Sequence, residues 1–208
     1  CFVVDEKGHP VSPSAIAALV AERELAREPG STVIHNLITS QAVPEIIREN
    51  GGEPVRTRVG HSFIKAKMAE TNAVFGGEHS AHYYFRDFWR ADSGMLAAMH
   101  VLAALGQQDK PLSEMMAKYN RYAASGEINS RLDSAEAQAD RTEAVAKAFA
   151  DRAENVDRLD GVTVELKDGN WFNVRASNTE PLLRLNVEAD TQEAVDALVK
   201  EILAIIRA

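Results

Sequence analysis

Hydrophobic and polar positions alternate with helical spacing near the beginning of the chain. Ser12-Pro13 is typical of a helix start, and the apolar residues behind it predict a helix from Pro13 to about Arg27. Pro29-Gly30 ends this helix. The short apolar run Phe2-Val3-Val4, which precedes it, predicts a strand.

Up to about residue 105 the pattern alternates between short apolar runs and amphipathic stretches. Strands that alternate with helices at this spacing predict an α/β domain with a mixed, largely parallel sheet. In chain order, the expected elements are strand Thr32–His35, a helix capped by Ser40, an extended segment Pro54–Val59, helix Phe63–Glu70, strand Ala73–Phe75, strand Tyr83–Phe85, and helix Ser93–Leu105 capped by Asp92.

The pattern changes around Tyr122 to Gly126, where small and polar residues intervene, and we expect a domain boundary there. Beyond it, Val162–Val164 and Trp171–Val174 flank the turn Lys167–Asn170, which predicts a β-hairpin. Residues 183–189 alternate between apolar and polar, as in a strand with one buried and one solvent-facing side. A helix with one apolar stripe closes the chain. This part is predicted to be an α+β domain with an antiparallel sheet and two helices.

Composition narrows the classes of function. The 208 residues, 45% of them hydrophobic, can bury the core of one large domain or two small ones. The net charge of -8 argues against unspecific binding to nucleic acid or to anionic membranes, so an anionic substrate needs local basic residues. The single cysteine, Cys1, permits no internal disulfide, and no apolar run approaches the ~20 residues of a membrane span. We therefore expect a cytoplasmic protein.

The chain opens with Cys1 inside an apolar run, without an initiator methionine. This beginning predicts a cut chain. A processed N-terminus is the alternative.

A polar loop between two predicted strands has the parts of a phosphate clamp. The segment Arg175-Ala176-Ser177-Asn178-Thr179-Glu180-Pro181 combines a guanidinium, hydroxyls and an amide. A guanidinium binds phosphate oxygens bidentately, and the neutral side chains and loop amides add further donors. The alternative is an ordinary hairpin loop rich in turn-forming residues.

A second polar cluster, Gly76-Gly77-Glu78-His79-Ser80-Ala81-His82, lies between two predicted strands. The paired glycines would let the backbone turn sharply, and Glu78, Ser80 and His82 would project on one side of an extended loop. A carboxylate beside a hydroxyl suits the neighbouring hydroxyls of a sugar. A metal site of Glu78, His79 and His82 is the alternative, which the lack of further ligands at metal-site spacing disfavours.

His61 precedes a predicted helix, where a histidine could meet an anion or shuttle a proton. A purely structural role is the alternative. The aromatic residues between Tyr83 and Trp89 are expected to pack in the core and loops, because few basic residues interleave with them.

Taken together, two of these segments resemble the loops of a known enzyme family. Gly77–His82 and Arg175–Pro181 resemble the sugar loop and the phosphate loop of the α-D-phosphohexomutases, and Val59–Lys65 resembles the histidine segment between them. The resemblance runs from Cys1 to near Ala208. Within the family it favours the phosphomannomutase/phosphoglucomutase group.

The resemblance implies that the chain is the C-terminal part of a four-domain protein. Residues 1–11 would be the tail of domain two, 12–122 a sugar-binding domain three, and 123–208 a phosphate-binding domain four. The phosphoserine loop of domain one and the magnesium loop of domain two have no counterpart in this sequence. Mg²⁺ would therefore be bound by the parent protein outside this chain, and domains one and two would be its partners.

Family members transfer a phosphoryl group from a phosphoserine to a hexose phosphate, reorient the hexose 1,6-bisphosphate, and take a phosphate back from its other end. The substrates implied are mannose or glucose phosphates, and the chain alone is expected to lack activity. The resemblance implies the following roles: proton transfer for His61; sugar binding for Glu78, His79, Ser80 and His82; phosphate binding for Arg175, Ser177, Asn178, Thr179 and Arg184; and no metal ligand.

Two alternatives stay open. A phosphoglucosamine mutase usually carries glutamine at the position of His79, so the histidine favours a hexose. A non-catalytic sugar-phosphate-binding module is the alternative from another class. The sugar loop also departs from many members of the family at Ala81, where they have glycine, and at His79, where they have methionine.

Overall fold

The structure, a computed structural model, describes residues 1–177 and 180–208 and divides into two compact units, Cys1–Arg121 and Tyr122–Ala208. Within the described ranges, no helix has the length and apolarity needed to cross a bilayer. The first unit contains α1 (Pro13–Arg27), β1 (Thr32–Asn36), α2 (Ala42–Glu49), β2 (Glu53–Thr57), α3 (His61–Thr71), β3 (Phe75–Gly77), β4 (Tyr83–Phe85), β5 (Ala91–Asp92), α4 (Gly94–Leu105) and α5 (Leu112–Met116). The second contains β6 (Ala123–Arg131), α6 (Ala135–Ala148), β7 (Ala153–Asp157), β8 (Val162–Leu166), β9 (Trp171–Ala176), β10 (Leu182–Ala189) and α7 (Gln192–Ile206).

The sheet of the first unit has a parallel centre and an antiparallel edge. Its strand order is β2-β1-β3-β4-β5. β1 pairs in parallel with β2 and β3, whereas β3, β4 and β5 pair antiparallel. The predicted α/β class with a mixed sheet is confirmed.

Gly76 and Gly77 fix how closely the helices approach this sheet. A Cβ on Gly76 would lie 3.0 Å from Ile64 of α3, and a Cβ on Gly77 would lie 2.7 Å from Ala17 of α1. Successive residues of a strand point to opposite faces, so α3 and α1 cover opposite sides of the sheet. Neither glycine has a positive φ. The predicted sharp turn at this pair is wrong, because the glycines are needed for close packing inside β3.

The second unit is an antiparallel sheet with both helices on one face. Its strand order is β6-β10-β9-β8-β7, and every pairing is antiparallel. The core on the helix side is formed by alternate strand residues together with α6 and α7; it includes Val145, Phe149, Val162, Val164, Phe172, Val174, Leu183, Leu185, Val187, Val195, Leu198 and Ile202. The predicted α+β class with two helices is confirmed.

The face of β10 that points away from the helices is more buried than its polar residues predict. Asn186 and Glu188 are buried, and Glu188 Oε1 accepts a hydrogen bond of 2.8 Å from Trp171 Nε1. The prediction of one solvent-facing side is therefore wrong for the C-terminal half of this strand.

Three local predictions from the sequence are corrected. The run Phe2–Val4 forms only an isolated bridge between Val4 and Pro10, and Phe2 is 82% exposed. Helix α4 is capped by Ser93, whose Oγ accepts from the backbone N–H of Leu96, and not by Asp92. The strand predicted at Ala73–Phe75 is shifted to Phe75–Gly77, although the earlier residues are buried.

Candidate functional site

A buried carboxylate lies where the parallel strands of the first unit end. Glu78 follows β3 directly and is 2% exposed, and Asn36 is the last residue of β1. Open α/β sheets bind ligands outside the carboxyl ends of their strands, because the loops there converge. This edge of the sheet is therefore the candidate ligand site of the first unit.

The loop that carries Glu78 is a tight turn. The N–H of Ala81 donates to the carbonyl of Glu78 at 3.1 Å, and the N–H of Glu78 donates to the carbonyl of His82 at 3.0 Å. Ala81 has φ +66°, in the left-handed region. The loop is thus not the extended segment predicted from the sequence, and it buries Glu78 while Ser80 is exposed.

Glu78 accepts hydrogen bonds at both carboxylate oxygens. Oε1 accepts from Asn36 Nδ2 at 3.3 Å and from the backbone N–H of Gly60 at 3.1 Å. Oε2 accepts from the Tyr84 hydroxyl at 2.8 Å. These donors come from β1, from the residue before α3 and from β4, so three elements hold one carboxylate in a fixed orientation.

Two of the three predicted histidines, His61 and His82, are brought together beside this carboxylate. The ring centroids of His61 and His82 are 4.6 Å apart. The Tyr84 hydroxyl hydrogen-bonds His61 Nδ1, and His82 Nδ1 lies 3.0 Å from Asp92 Oδ2. Burial, followed by the hydrogen bond to Glu78, holds the pKa of Tyr84 well above its usual range. The phenol thus stays protonated at any physiological pH.

His79 is engaged with the start of α1. Its Nδ1 lies 2.9 Å from Ser14 Oγ, which also accepts from the backbone N–H of Ser40 at 3.1 Å. The structure therefore places His79 against α1, while His61 and Glu78 bond Tyr84 and His82 packs against His61.

In the second unit, two arginines of the predicted phosphate site share one carboxylate. Arg175 Nη2 lies 3.0 Å from Glu127 Oε2, and Arg184 Nη1 lies 3.2 Å from Glu127 Oε1. Arg175 is 4% exposed, and burial lowers the pKa of its guanidinium, with Arg184 adding to this effect and Glu127 opposing it. Two guanidiniums thus meet at one carboxylate.

The loop after β9 adds a hydroxyl to this site. Ser177 Oγ accepts from Arg184 Nη2 at 3.2 Å, and Glu180 Oε2 lies 3.4 Å from the same nitrogen. The N–H of Ser177 donates to the carbonyl of Leu182 at 2.8 Å. The other two predicted phosphate ligands, Asn178 and Thr179, lie outside the described residues.

Gly161 leaves the space in which Arg175 lies. It has φ +69°, and a Cβ there would lie 2.2 Å from the carbonyl of Val174 and 2.7 Å from Arg175 Cβ. No side chain fits this space. The glycine before β8 is therefore part of what places the guanidinium.

Comparison with known protein families identifies the relatives of this chain. The sequence profile described as phosphoglucomutase/phosphomannomutase, alpha/beta/alpha domain III, matches residues 12–122, and the C-terminal domain profile of the same family matches residues 127–205. The chain belongs to the phosphoglucomutase/phosphomannomutase family.

Relatives in this family are about twice as long. A phosphomannomutase of Salmonella montevideo is 41% identical over 99% of this chain, which covers 45% of that protein. A phosphoglucomutase/phosphomannomutase family structure from Burkholderia thailandensis superposes with a TM-score of 0.83 at 30% identity, over 99% of this chain and 44% of the other. The chain thus spans somewhat less than half the length of the relatives that it matches.

The same fold occurs in N-acetylphosphoglucosamine mutase from Aspergillus fumigatus, at 14% identity. One structure of that enzyme is a complex with GlcNAc-6P and magnesium, with a TM-score of 0.66. Another is a complex with glucose 1,6-bisphosphate, with a TM-score of 0.62.

The described residues of this chain do not fit a magnesium ion. Across residues 1–177 and 180–208, no three His, Cys, Asp or Glu side chains are grouped so that they could hold a metal. Glu78 already accepts three hydrogen bonds from protein donors, and His79 turns to Ser14. No chemical step is therefore assigned to a metal bound by this chain.

Sequence reasoning missed four residues of the two candidate sites: Asn36, Tyr84, Asp92 and Glu127. The sequence pattern could have identified Asn36 as a site residue, since a polar residue at the end of a buried parallel strand is typical of a binding edge. Tyr84 was interpreted as packing and Asp92 as a cap, because their local patterns fit those roles. Glu127 had no local signal, since only the strand pairing brings it to Arg175.

Proposed function

We propose that this chain is the substrate-recognition part of a phosphohexomutase that interconverts hexose 6-phosphates and hexose 1-phosphates, with mannose or glucose as the sugar. In the complete enzyme, a phosphoserine gives its phosphoryl group to the free hydroxyl of the hexose phosphate. The resulting hexose 1,6-bisphosphate reorients, and the phosphate at its other end returns to the serine. The chain alone is expected to lack turnover.

The observation that carries this proposal is the pair of guanidiniums, Arg175 and Arg184, on either side of Glu127. A guanidinium binds two phosphate oxygens at once, and these two guanidiniums face each other on neighbouring strands. Arg175 Nε and Arg184 Nε are buried and have no acceptor among the described residues. Buried donors without a partner are costly, so a bound phosphate that reorganises these side chains would be favoured.

Glu78 is proposed to bind sugar hydroxyls that both orientations of the bisphosphate share, with Ser80 and His82 of the same loop. His79 would have to turn away from Ser14 to join them. The Glu78 carboxylate is held by Asn36, Gly60 and Tyr84, so little side-chain entropy is left to lose on binding. His61, 4.6 Å from His82 between ring centroids, is the candidate for proton transfer.

Phosphoryl transfer itself needs groups that this chain does not contain. Phosphate monoester transfer is among the slowest uncatalysed reactions, so the phosphoserine environment and Mg²⁺ must supply much of the stabilisation of the transition state. We assign both to domains one and two of the parent protein, with residues 1–11 as the tail of domain two, 12–122 as domain three and 123–208 as domain four.

Calorimetric titration with mannose 1-phosphate and glucose 1-phosphate tests the proposal. Arg175→Ala removes the more buried guanidinium, and we expect affinity for both ligands to fall at least tenfold, about 1.4 kcal/mol. Mutase activity of the chain alone is expected to be undetectable in a coupled assay.

Arg158→Ala is the matched control. Arg158 belongs to the same unit and is half exposed, so the variant loses the same charge at a side chain that pairs with Glu143 of α6 and not with Glu127. Its affinity should stay within twofold of the unaltered chain. Equal losses in the two variants would mean that only net charge matters, and turnover by the chain would contradict the division of labour.

A further inference from the structure

Tyr84 connects the carboxylate proposed to bind sugar with the histidine proposed to transfer a proton. Its hydroxyl lies 2.8 Å from Glu78 Oε2 and also hydrogen-bonds His61 Nδ1. A phenol carries one hydrogen, so Tyr84 donates one of these bonds and accepts the other.

The other hydrogen bonds of Glu78 decide whether the Tyr84 hydroxyl donates to Glu78 or to His61. A backbone N–H and an amide NH₂ donate to Oε1, and Tyr84 is the only described donor to Oε2. If the phenolic hydrogen pointed to His61, two oxygens bearing only lone pairs would face each other at 2.8 Å in a buried place. That arrangement is unfavourable, because a buried acceptor without a donor keeps its desolvation cost. Tyr84 therefore donates to Glu78.

Because its hydrogen points to Glu78, the Tyr84 hydroxyl oxygen can only accept a hydrogen bond from His61. Burial raises the pKa of Tyr84, and the hydrogen bond to Glu78 raises it further, so the phenol does not ionise. His61 Nδ1 must then carry the hydrogen of the shared bond. A neutral imidazole has one N–H, which leaves a lone pair on Nε2.

We propose that Tyr84 is a positioning residue that holds neutral His61 as the Nδ1–H tautomer, so that Nε2 is a proton acceptor. His61 is exposed, and no described residue hydrogen-bonds its Nε2, so a ligand can reach this atom. A lone pair attracts the hydrogen of a sugar hydroxyl and repels a phosphate oxygen. The assignment of Nε2 to a hydroxyl rests on the proposed function, whereas the tautomer does not.

The same chain of bonds stabilises the product of proton transfer. When Nε2 accepts a hydroxyl proton, the O–H bond breaks, an N–H bond forms and His61 becomes an imidazolium. Its Nδ1–H remains hydrogen-bonded to Tyr84, which remains bonded to the Glu78 carboxylate. The sugar-binding carboxylate thus also stabilises the positive charge, through one phenol.

Ring nitrogen chemical shifts test the tautomer without any ligand. In ¹⁵N-labelled protein at a pH where His61 is neutral, we expect Nδ1 to show the shift of a protonated nitrogen and Nε2 that of a bare one. In Glu78→Gln, the new amide donates to Tyr84 while its oxygen keeps the two other donors. The phenolic hydrogen then turns to His61, and the two shifts should exchange.

Two phenylalanine variants complete the test. Tyr84→Phe removes the acceptor, so the Nδ1–H form should lose its dominance. Tyr83→Phe is the matched control, since the Tyr83 hydroxyl is also buried but bonds the carbonyl of Pro13 at 3.3 Å. His61 shifts should be unchanged in this control. An Nε2–H tautomer in the unaltered chain, or unchanged shifts in both Glu78→Gln and Tyr84→Phe, would overturn the proposal.

Ligand binding then separates this inference from the proposed function. Tyr84→Phe should weaken mannose 1-phosphate severalfold and leave the affinity for inorganic phosphate unchanged. If mannose 1-phosphate does not bind even the unaltered chain, the proposed function fails, and the nitrogen shifts still decide the tautomer.

Discussion

Arg175 lies directly opposite Arg184 across the β9–β10 pair, on the face of the sheet away from the helices. Like charges that face each other across two strands destabilise a sheet. The carboxylate of Glu127, on the neighbouring strand β6, contacts both guanidiniums and offsets this repulsion. The strand pairing thus brings two cations onto one carboxylate, and Glu127 stabilises their close approach.

Glu127→Gln should therefore destabilise the second unit. The change leaves two opposed cations without their shared partner, and we expect a loss of about 1–2 kcal/mol, since Arg175 is buried while Glu127 is partly exposed. Urea unfolding followed by tryptophan fluorescence measures this loss. In a Trp89→Phe background, Trp171 is the remaining tryptophan and reports on the second unit alone. Phosphate or sulfate should restore part of the loss.

Glu143→Gln is the control for this prediction, because Glu143 pairs with Arg158 at an exposed place. Its cost should be clearly smaller than that of Glu127→Gln and should not change when phosphate is added. Equal costs in the two variants would show that Glu127 has no special role.

Stability should fall on acidification because of His35. This histidine at the end of β1 is 6% exposed, with Nδ1 2.9 Å from Thr39 Oγ1, and burial lowers its pKa to about 4. The unfolded chain takes up a proton below pH ~6.5, whereas the folded chain stays neutral there until about pH 4. Stability is therefore complete above pH ~6.5, and about 3 kcal/mol is lost as the pH falls to 4.

Thermal unfolding at several pH values measures the effect. His35→Gln keeps a polar side chain in place and should flatten the dependence between pH 6.5 and 4. His9→Gln, which changes a side chain that is 73% exposed, should leave the slope unchanged. A slope that persists in His35→Gln would assign the acid sensitivity to other groups.

Ala81→Gly should be nearly neutral, unlike most alanine-to-glycine changes. Ala81 has φ +66°, where an L-residue with a Cβ is disfavoured by about 1–2 kcal/mol. Relief of this strain offsets the larger entropy of glycine in the unfolded chain and the lost methyl burial, so we expect a net change within about 0.5 kcal/mol.

The comparison for this position is Ala66→Gly, at an exposed site in the middle of α3. There the same substitution has no strain to relieve and should cost about 1 kcal/mol. The two variants should differ in their urea midpoints while their slopes agree. Equal losses would argue that the turn imposes no strain on Ala81.

Local patterns predicted the elements well where one periodicity dominates. The helix Pro13–Arg27 has the bounds that its start signal and apolar spacing predict, and the alternation of Leu183, Leu185 and Val187 marks the core side of β10. The predictions failed where a residue's role depends on a distant neighbour. Gly76 and Gly77 serve the packing of α3 and α1, which their own sequence does not reveal.

The candidate site divides in the same way. The sequence by itself determined which side chains the two loops carry, from Glu78 to His82 and from Arg175 to Ser177, because residue type and order are local properties. Only the tertiary structure decided that Tyr84 bridges Glu78 and His61, and that Glu127 lies between two arginines. The physical reason is that strand order and register, which arise from burial over the whole chain, select partners that are far apart in sequence.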